Sequence, residues 1–264
     1  MFSLKQLWWT AFAAGLVAAA ITAVAAPARA EEPAANHLAE IAPDTFAAAM
    51  EQYLLDNPKL LERLNDQMSE VLYREQVALH SRLISENATA LFEAEDAVVI
   101  GNPDGDVTLV EFYDYNCSYC RSAAPDLVGL IEANPNLRVV LMDLPILSDG
   151  SVAAAEIGLA FAQQGGDVQS FHEAMWTLPA PADADAAIKI AESLDADIPD
   201  LLERAASDEL RAALQRRIDL AQTMQISGTP SFIIGDTIVP GVAGQAALQA
   251  FIDNVEACGS ASCG

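Results

Sequence analysis

Few cations, few cysteines and, after residue 30, no long apolar run: these shortages narrow the reading of this 264-residue chain before any motif does. Lysine and arginine together number 13 against 38 acids, a formal charge of −25. So acidic a surface repels phosphate backbones and anionic lipid heads, which sets nucleic-acid binding aside. Four cysteines cannot staple a fold of this length, so stability must come from a hydrophobic core. With 52% hydrophobic and 19% charged residues the chain can build one, as one large domain or two smaller ones. Nothing beyond residue 30 approaches the roughly 20 uninterrupted apolar residues of a membrane span, and there is no internal repeat or low-complexity tract.

Before Arg29 the only charge is Lys5. The residues between them are almost wholly apolar and end at Ala28-Arg29-Ala30, followed by Glu31-Glu32. A positive start, an apolar middle and a small-residue exit describe a secretory signal peptide over residues 1–30, cut after Ala30. The competing reading is a retained anchor, since the run is long enough to span a bilayer. Export places the cysteines in an oxidising compartment, most simply a bacterial periplasm.

Breakers are scarce next. Residues 31–38 read as a linker within a helical arm that extends over 31–97. Between Pro43 and Glu95 there is no glycine, and the one proline is Pro58. The pattern predicts a helix over 43–55, then a long one opened by Asn57-Pro58. On the long one, Leu61, Leu64, Met68, Leu72, Leu79 and Leu83 form a single apolar stripe. That stripe can pack on the body of its own chain or on copies of itself.

The turn cluster 101–106 opens a body, 98–264, of different character. A β-branched and aromatic strand over 107–115, a helix over 116–131 and a strand over 137–145 make a βαβ unit with a parallel pair. A strand-free region follows, at about 148–226. Its expected helices are 151–164, capped by Ser151 and stopped at Gly165-Gly166, then 171–176, 182–194 and 199–224. Two short strands, 230–234 and 237–240, flank Gly235-Asp236 as a hairpin, and a helix over 246–255 closes the chain.

Cys117-Ser118-Tyr119-Cys120 is the chemical centre, directly after a strand and at a helix start. Helix N-terminal N–H groups and the helix dipole favour a thiolate there, and Arg121 adds a cation. Spacing of three brings the sulfurs close enough for a small disulfide ring. Cys117, at the exposed end, can attack a substrate disulfide, and Cys120, one turn deeper, can resolve the mixed disulfide. Half of a zinc site is the competing reading, but Cys258 and Cys263 are poorly spaced to complete it, so no metal site is assigned. A purely structural disulfide is disfavoured because so tight a ring constrains little of the unfolded chain. Glu111 lies within the apolar strand. Buried, it could accept and return the proton of Cys120; at an edge, it would face water. Thr229-Pro230 precedes the third strand, either as a cis-proline loop or as an ordinary trans proline opening a strand.

The run Phe112-Tyr113-Asp114-Tyr115-Asn116-Cys117-Ser118-Tyr119-Cys120, a helical insert, and then Gly228-Thr229-Pro230-Ser231-Phe232 resembles the DsbA family of periplasmic thiol:disulfide oxidoreductases. The resemblance covers about residues 98–256. It implies an α/β, thioredoxin-like fold with an inserted helical domain. It implies Cys117 as nucleophile, Cys120 as resolving cysteine, Glu111 as buried acid, and Thr229 and Pro230 as the loop that docks substrate backbone. Ser118-Tyr119 departs from the Pro-His of the best-known member, which leaves the oxidising strength open. The helical arm resembles, by position, the segment of the suppressor-of-copper-sensitivity protein C and Com1-like group, which can oligomerise the chain.

The expected function is therefore exchange of disulfides with exported proteins, with no organic cofactor and with a membrane redox partner. An oligomeric isomerase held together by the arm is the leading form, and a monomeric oxidase the alternative. A different class, a periplasmic copper-binding protein, rests on the affinity of copper(I) for thiolates. Cys258 and Cys263 are expected to form a small structural disulfide. His37, His80 and His172 are scattered, none at ligand spacing from a cysteine, and read as solvated or packed.

Overall fold

A computed structural model describes residues 43–263. The signal segment 1–30, with its cleavage site, and the start of the arm lie outside the described residues. The chain divides into two units, 1–63 and 64–264.

In the first unit, α1 (Pro43–Asp56) is followed by the opening turns of α2 (Pro58–Glu86). Asn57 separates them: its side-chain amide donates to the Tyr53 carbonyl at 2.8 Å, and Pro58 starts the next helix without needing an N–H partner. Phe46, Met50, Tyr53, Leu55 and Leu61 are exposed.

In the second unit α2 continues, and its stripe changes character along its length. Leu64, Met68 and Leu72 are exposed, Leu79 is half-buried, and Leu83 and Ile84 are buried. Together with Leu91 of α3 (Ala88–Phe92), the last three pack into a core with Val110, Phe112, Val140, Met142 and Ile233. The single stripe of the sequence is thus two surfaces, one docked on the sheet and one uncovered.

The sheet is built from β1 (Val98–Gly101), β2 (Val107–Tyr113) and β3 (Leu137–Asp143), with α4 (Ser118–Ala133) crossing from β2 to β3. β2 and β3 run parallel, from Val107 beside Leu137 to Tyr113 beside Asp143, which is the expected βαβ unit. After β3 come α5 (Asp149–Gln163), α6 (Val168–Trp176), α7 (Ala184–Ser193), α8 (Ile198–Ala205) and α9 (Asp208–Thr223). The hairpin β4 (Ser231–Ile234) and β5 (Thr237–Pro240) returns to the sheet, and α10 (Gln245–Cys258) ends the fold. The strand order is β1-β3-β2-β4-β5, antiparallel except for β2 and β3. This is a thioredoxin-like fold with a helical domain inserted between β3 and β4, preceded by a helical arm.

Local boundaries differ from the expected ones for identifiable reasons. The cap of α5 is Ser148, whose hydroxyl accepts from the Ser151 N–H at 3.0 Å, and not Ser151 itself. The expected helix 199–224 is two helices. Ser207 caps a new one by accepting from the Leu210 N–H at 3.1 Å, with Asp208 and Glu209 in its first turn, where the helix dipole favours acids. β2 and β3 each stop two residues short of the expected ends, because Asp114 draws the chain into a turn. β1, with four residues on the sheet edge, carries no pattern long enough to mark it.

Alternation along the strands sets the two faces. Leu109, Val139, Leu141, Phe232 and Ile234 belong to one core with α4, α10 and the insert, and Val110, Val140 and Ile233 to the core under α2 and α3. Glu111 and Tyr113 share parity with Leu109 and so face α4 and the insert. Among the described residues no helix is long and apolar enough to cross a membrane.

Candidate functional site

The site forms where β2 ends and α4 begins. Asp114 is buried, and its carboxylate accepts three backbone N–H groups: Asn116 at 2.8 Å, Ile146 at 2.9 Å and Leu147 at 3.0 Å. These bonds tie the end of β2 to the segment after β3. Asn116 extends the frame into the insert, donating to the hydroxyls of Ser148 and Ser151 and to the Ala182 carbonyl, and accepting from the Ala182 N–H at 2.6 Å. Neither residue carried a sequence signal beyond its place in the strand-to-helix run.

Cys117 is the N-cap of α4, in extended backbone, so its sulfur sits at the helix start as expected. It is less open than expected. Only 6% of the residue is exposed, because the loop at Thr229 covers it, and its thiol donates to the Thr229 carbonyl at 3.2 Å. Cys120, in the first turn, is fully buried, so Cys117 is still the more accessible of the two. Both are free thiols, and Tyr119 between them is 67% exposed. Arg121 turns away toward the insert, donating to the Leu178 carbonyl at 2.5 Å. The Thr229-Pro230 peptide is cis and packs against the cysteine pair.

Glu111 is 1% exposed, between Leu141 of β3 and Phe232 of β4, which places it in the buried alternative and not at an edge. Burial pushes the Cys120 thiol well above the ordinary thiol range, and the charges of Glu111 and Cys117 add to the effect. A thiol held so high needs a base to remove its proton, and Glu111 faces the same side of the sheet.

The raised thiol has a consequence for stability. The folded state holds the Cys120 proton while the unfolded chain releases it near the reference value of 9.0. Above that pH the folded state binds more protons, so stability falls as pH rises. Denaturant unfolding of the reduced protein at pH 8 and pH 10, compared with Cys120→Ser, should give the wild type an extra loss of up to about 1.4 kcal/mol per pH unit. Comparison with the variant cancels the contributions of Tyr113 and Tyr115, which burial raises in both proteins. Equal pH slopes would contradict the raised thiol.

Beside the cis-proline loop lies a groove of about 390 Å3, lined by Thr229, Pro230, Met224 and Gln225 and, from α2, by Gln76 and His80. Burial holds the His80 imidazole below its ordinary value. The contribution of α2 to this groove has no signature in the sequence, since it depends on how the docked half of the helix meets the loop. His172, read as one of three scattered histidines, is 3% exposed with its Nε2 3.8 Å from Glu111 Oε2. It lies on α6, and only the packing of the insert brings it to β2. Cys258 and Cys263 form a disulfide at the C-terminus.

Comparison with known proteins agrees with this geometry. The family described as "DSBA-like thioredoxin domain" matches residues 108–253, more than half of the chain. A thioredoxin-like oxidoreductase from Silicibacter pomeroyi DSS-3 is 40% identical with a TM-score of 0.62, over 65% of this chain and 99% of that one. The catalytic domain of Proteus mirabilis ScsC is 25% identical with a TM-score of 0.60, over 67% and 98%. Among curated sequences, a Na(+)/H(+) antiporter NhaA 3 of Salinispora tropica is 32% identical over 144 residues, 52% of this chain and 21% of that protein. The chain thus spans about a fifth of the length of the curated relatives it matches. On the matched residues, the fold and the cysteine pair, the chain belongs to the DsbA-like thioredoxin-domain family.

Proposed function

We propose that the chain is a periplasmic thiol–disulfide oxidoreductase that exchanges disulfides with exported proteins. The observation that carries this reading is the pair itself: an N-cap cysteine under a cis-proline loop, with a fully buried partner one turn deeper. Cys117 Sγ attacks one sulfur of a substrate disulfide. That S–S bond breaks, and its electron pair leaves with the other substrate sulfur. Cys120 then gives its proton to Glu111 and attacks Cys117 Sγ. The mixed disulfide breaks, the second substrate sulfur leaves as thiolate, and two electrons have passed from the pair to the substrate. In isomerisation a second substrate thiol attacks the mixed disulfide first, returning the dithiol with no net electron transfer. No step calls on an organic cofactor. Thr229 and Pro230 offer the docking edge for substrate backbone. The composition of residues 1–30 supports export, and a membrane redox partner would reset the pair.

The arm favours the oligomeric isomerase over the monomeric oxidase. Leu64, Met68, Val71 and Leu72 are uncovered on one helix, and burying a leucine contributes roughly 1.5–3 kcal/mol. A shared arm would set several Cys117 sites around one substrate. Light scattering on the mature protein at micromolar concentration should give an oligomer. The triple variant Leu64→Glu, Met68→Glu, Leu72→Glu should give a folded monomer that keeps dithiol chemistry and loses most reactivation of a scrambled substrate. A wild-type monomer would remove both the oligomer and the preference for isomerisation.

A further inference from the structure

Among the described residues three buried side-chain atoms have no hydrogen-bond partner, Glu111 Oε2, His172 Nε2 and Trp176 Nε1, and the first two face each other at 3.8 Å behind the cysteine pair. A buried orphan costs roughly 1–3 kcal/mol, so two in opposition call for an explanation. The hydrogen bonds around them suggest one. Tyr113 Oη donates to Asp143 Oδ1 at 2.6 Å, which commits its only proton. Tyr115 Oη then has its own proton for His172 Nδ1 at 3.2 Å, nearer than Tyr113 Oη at 3.4 Å. A ring that accepts at Nδ1 carries its proton on Nε2, aimed at the Glu111 carboxylate. The two orphans are therefore a matched donor and acceptor held just outside hydrogen-bond distance.

We propose that His172 and Glu111 act as one proton-holding pair for the resolving step, with His172 as the positioning residue behind the carboxylate. The proposal rests on the exchange activity proposed for the cysteine pair and deepens it. When Cys120 attacks the mixed disulfide, its thiol proton passes to Glu111. Before the transfer, Nε2–H is the donor that closes on the ionised Glu111 carboxylate and holds it toward Cys120; the Cys120 proton then comes to rest on a Glu111 carboxyl oxygen, leaving a neutral acid beside a neutral ring. In the opposite direction the same proton returns to Cys120. A pocket of about 230 Å3 is lined by His172 together with Trp176 and Arg121.

The other titratable groups around the ring are few. Glu111 and Tyr113 come from β2, Tyr115 from the turn after it, and Asp143 from β3 with Arg217 of α9 acting on it. Burial raises Asp143, and Arg217 and the Tyr113 bond oppose that rise. Cys120 and Arg121 come from α4, and Glu173 stands on α6 itself. β1 has no titratable side chain, and the charged residues of α5 and α7 lie at the exposed or half-exposed surface.

The test separates the two chemical steps. The reduced protein is mixed with dithiobis(nitrobenzoate) between pH 5 and 9, and release of nitrothiobenzoate is followed by absorbance. The first release reports attack by Cys117, and the second reports resolution by Cys120. Absence of the first phase in the wild type would defeat the exchange activity itself, an outcome separate from any change in the second phase. His172→Gln should leave the first phase within about twofold. It should slow the second roughly tenfold at pH 7 and change the shape of its pH profile. Combined with Glu111→Gln, it should add nothing to the loss caused by Glu111→Gln alone. A second phase with the wild-type profile, equal slowing of both phases at every pH, or multiplicative losses in the double variant would overturn the proposal. Ring nitrogen NMR on the unmodified protein covers the case of a variant that fails to fold. The Nε2–H form should dominate, and the Nε2 resonance should differ between the dithiol and disulfide forms. Identical resonances would overturn the pairing equally.

Discussion

Cys117→Ser should abolish thiol–disulfide exchange, and Cys120→Ser should accumulate a stoichiometric mixed disulfide with substrate. The asymmetry follows from position. Cys117 stands at the helix start with the exposed Tyr119 beside it, whereas Cys120 has no exposed surface and a thiol raised by burial. A substrate sulfur can reach only the first. Without Cys117 nothing attacks, and exchange falls to the uncatalysed rate. Without Cys120 the attack proceeds and the adduct persists. Non-reducing electrophoresis after mixing with a disulfide-containing protein distinguishes the two. Adducts on the Cys117→Ser protein and none on Cys120→Ser would reverse the assigned roles.

Asp114→Ala should destabilise the protein by about 3–5 kcal/mol, a large share of the stability of a typical domain. The carboxylate is buried and is the acceptor for three backbone N–H groups, from Asn116, Ile146 and Leu147. Removing it orphans those donors at roughly 1–3 kcal/mol each, with partial relief from rearrangement. Asp114→Asn keeps one acceptor oxygen and should lose less. Because these bonds deliver Cys117 to the cis-proline loop, exchange should slow in step with the loss of stability. Denaturant unfolding of the disulfide form gives the value directly. A loss under about 1 kcal/mol would mean that the turn is held by other contacts.

What could be read in the sequence was what is local. The β2-α4-β3 unit, the hairpin at Gly235 and the cysteine pair rest on runs of adjacent residues, and each formed within two residues of where its pattern predicts. The split between α8 and α9 was locally encoded in Ser207-Asp208-Glu209. It was hidden by the apolar recurrence of Leu201, Leu210 and Leu214, which looks the same in one helix as in two packed ones. The non-local parts left no signal. Leu79 and Leu83 look like Leu64 and Leu72 along the helix, and only the sheet beneath distinguishes them. His172 is far from the cysteines in sequence and reaches Glu111 only through the docking of α6. Asp114 resembles any turn residue until the segment after β3 is in place to receive its oxygens.

Equilibration with glutathione at graded ratios of its thiol and disulfide forms, followed by acid quench and mass-spectrometric counting of alkylated thiols, tests the central claim most directly. The account predicts one transition in which Cys117 and Cys120 lose their free thiols together as a two-electron couple, while Cys258 and Cys263 stay paired throughout. A pair that remains dithiol at every ratio, or a stable single-thiol glutathione adduct in place of the Cys117–Cys120 disulfide, would contradict it.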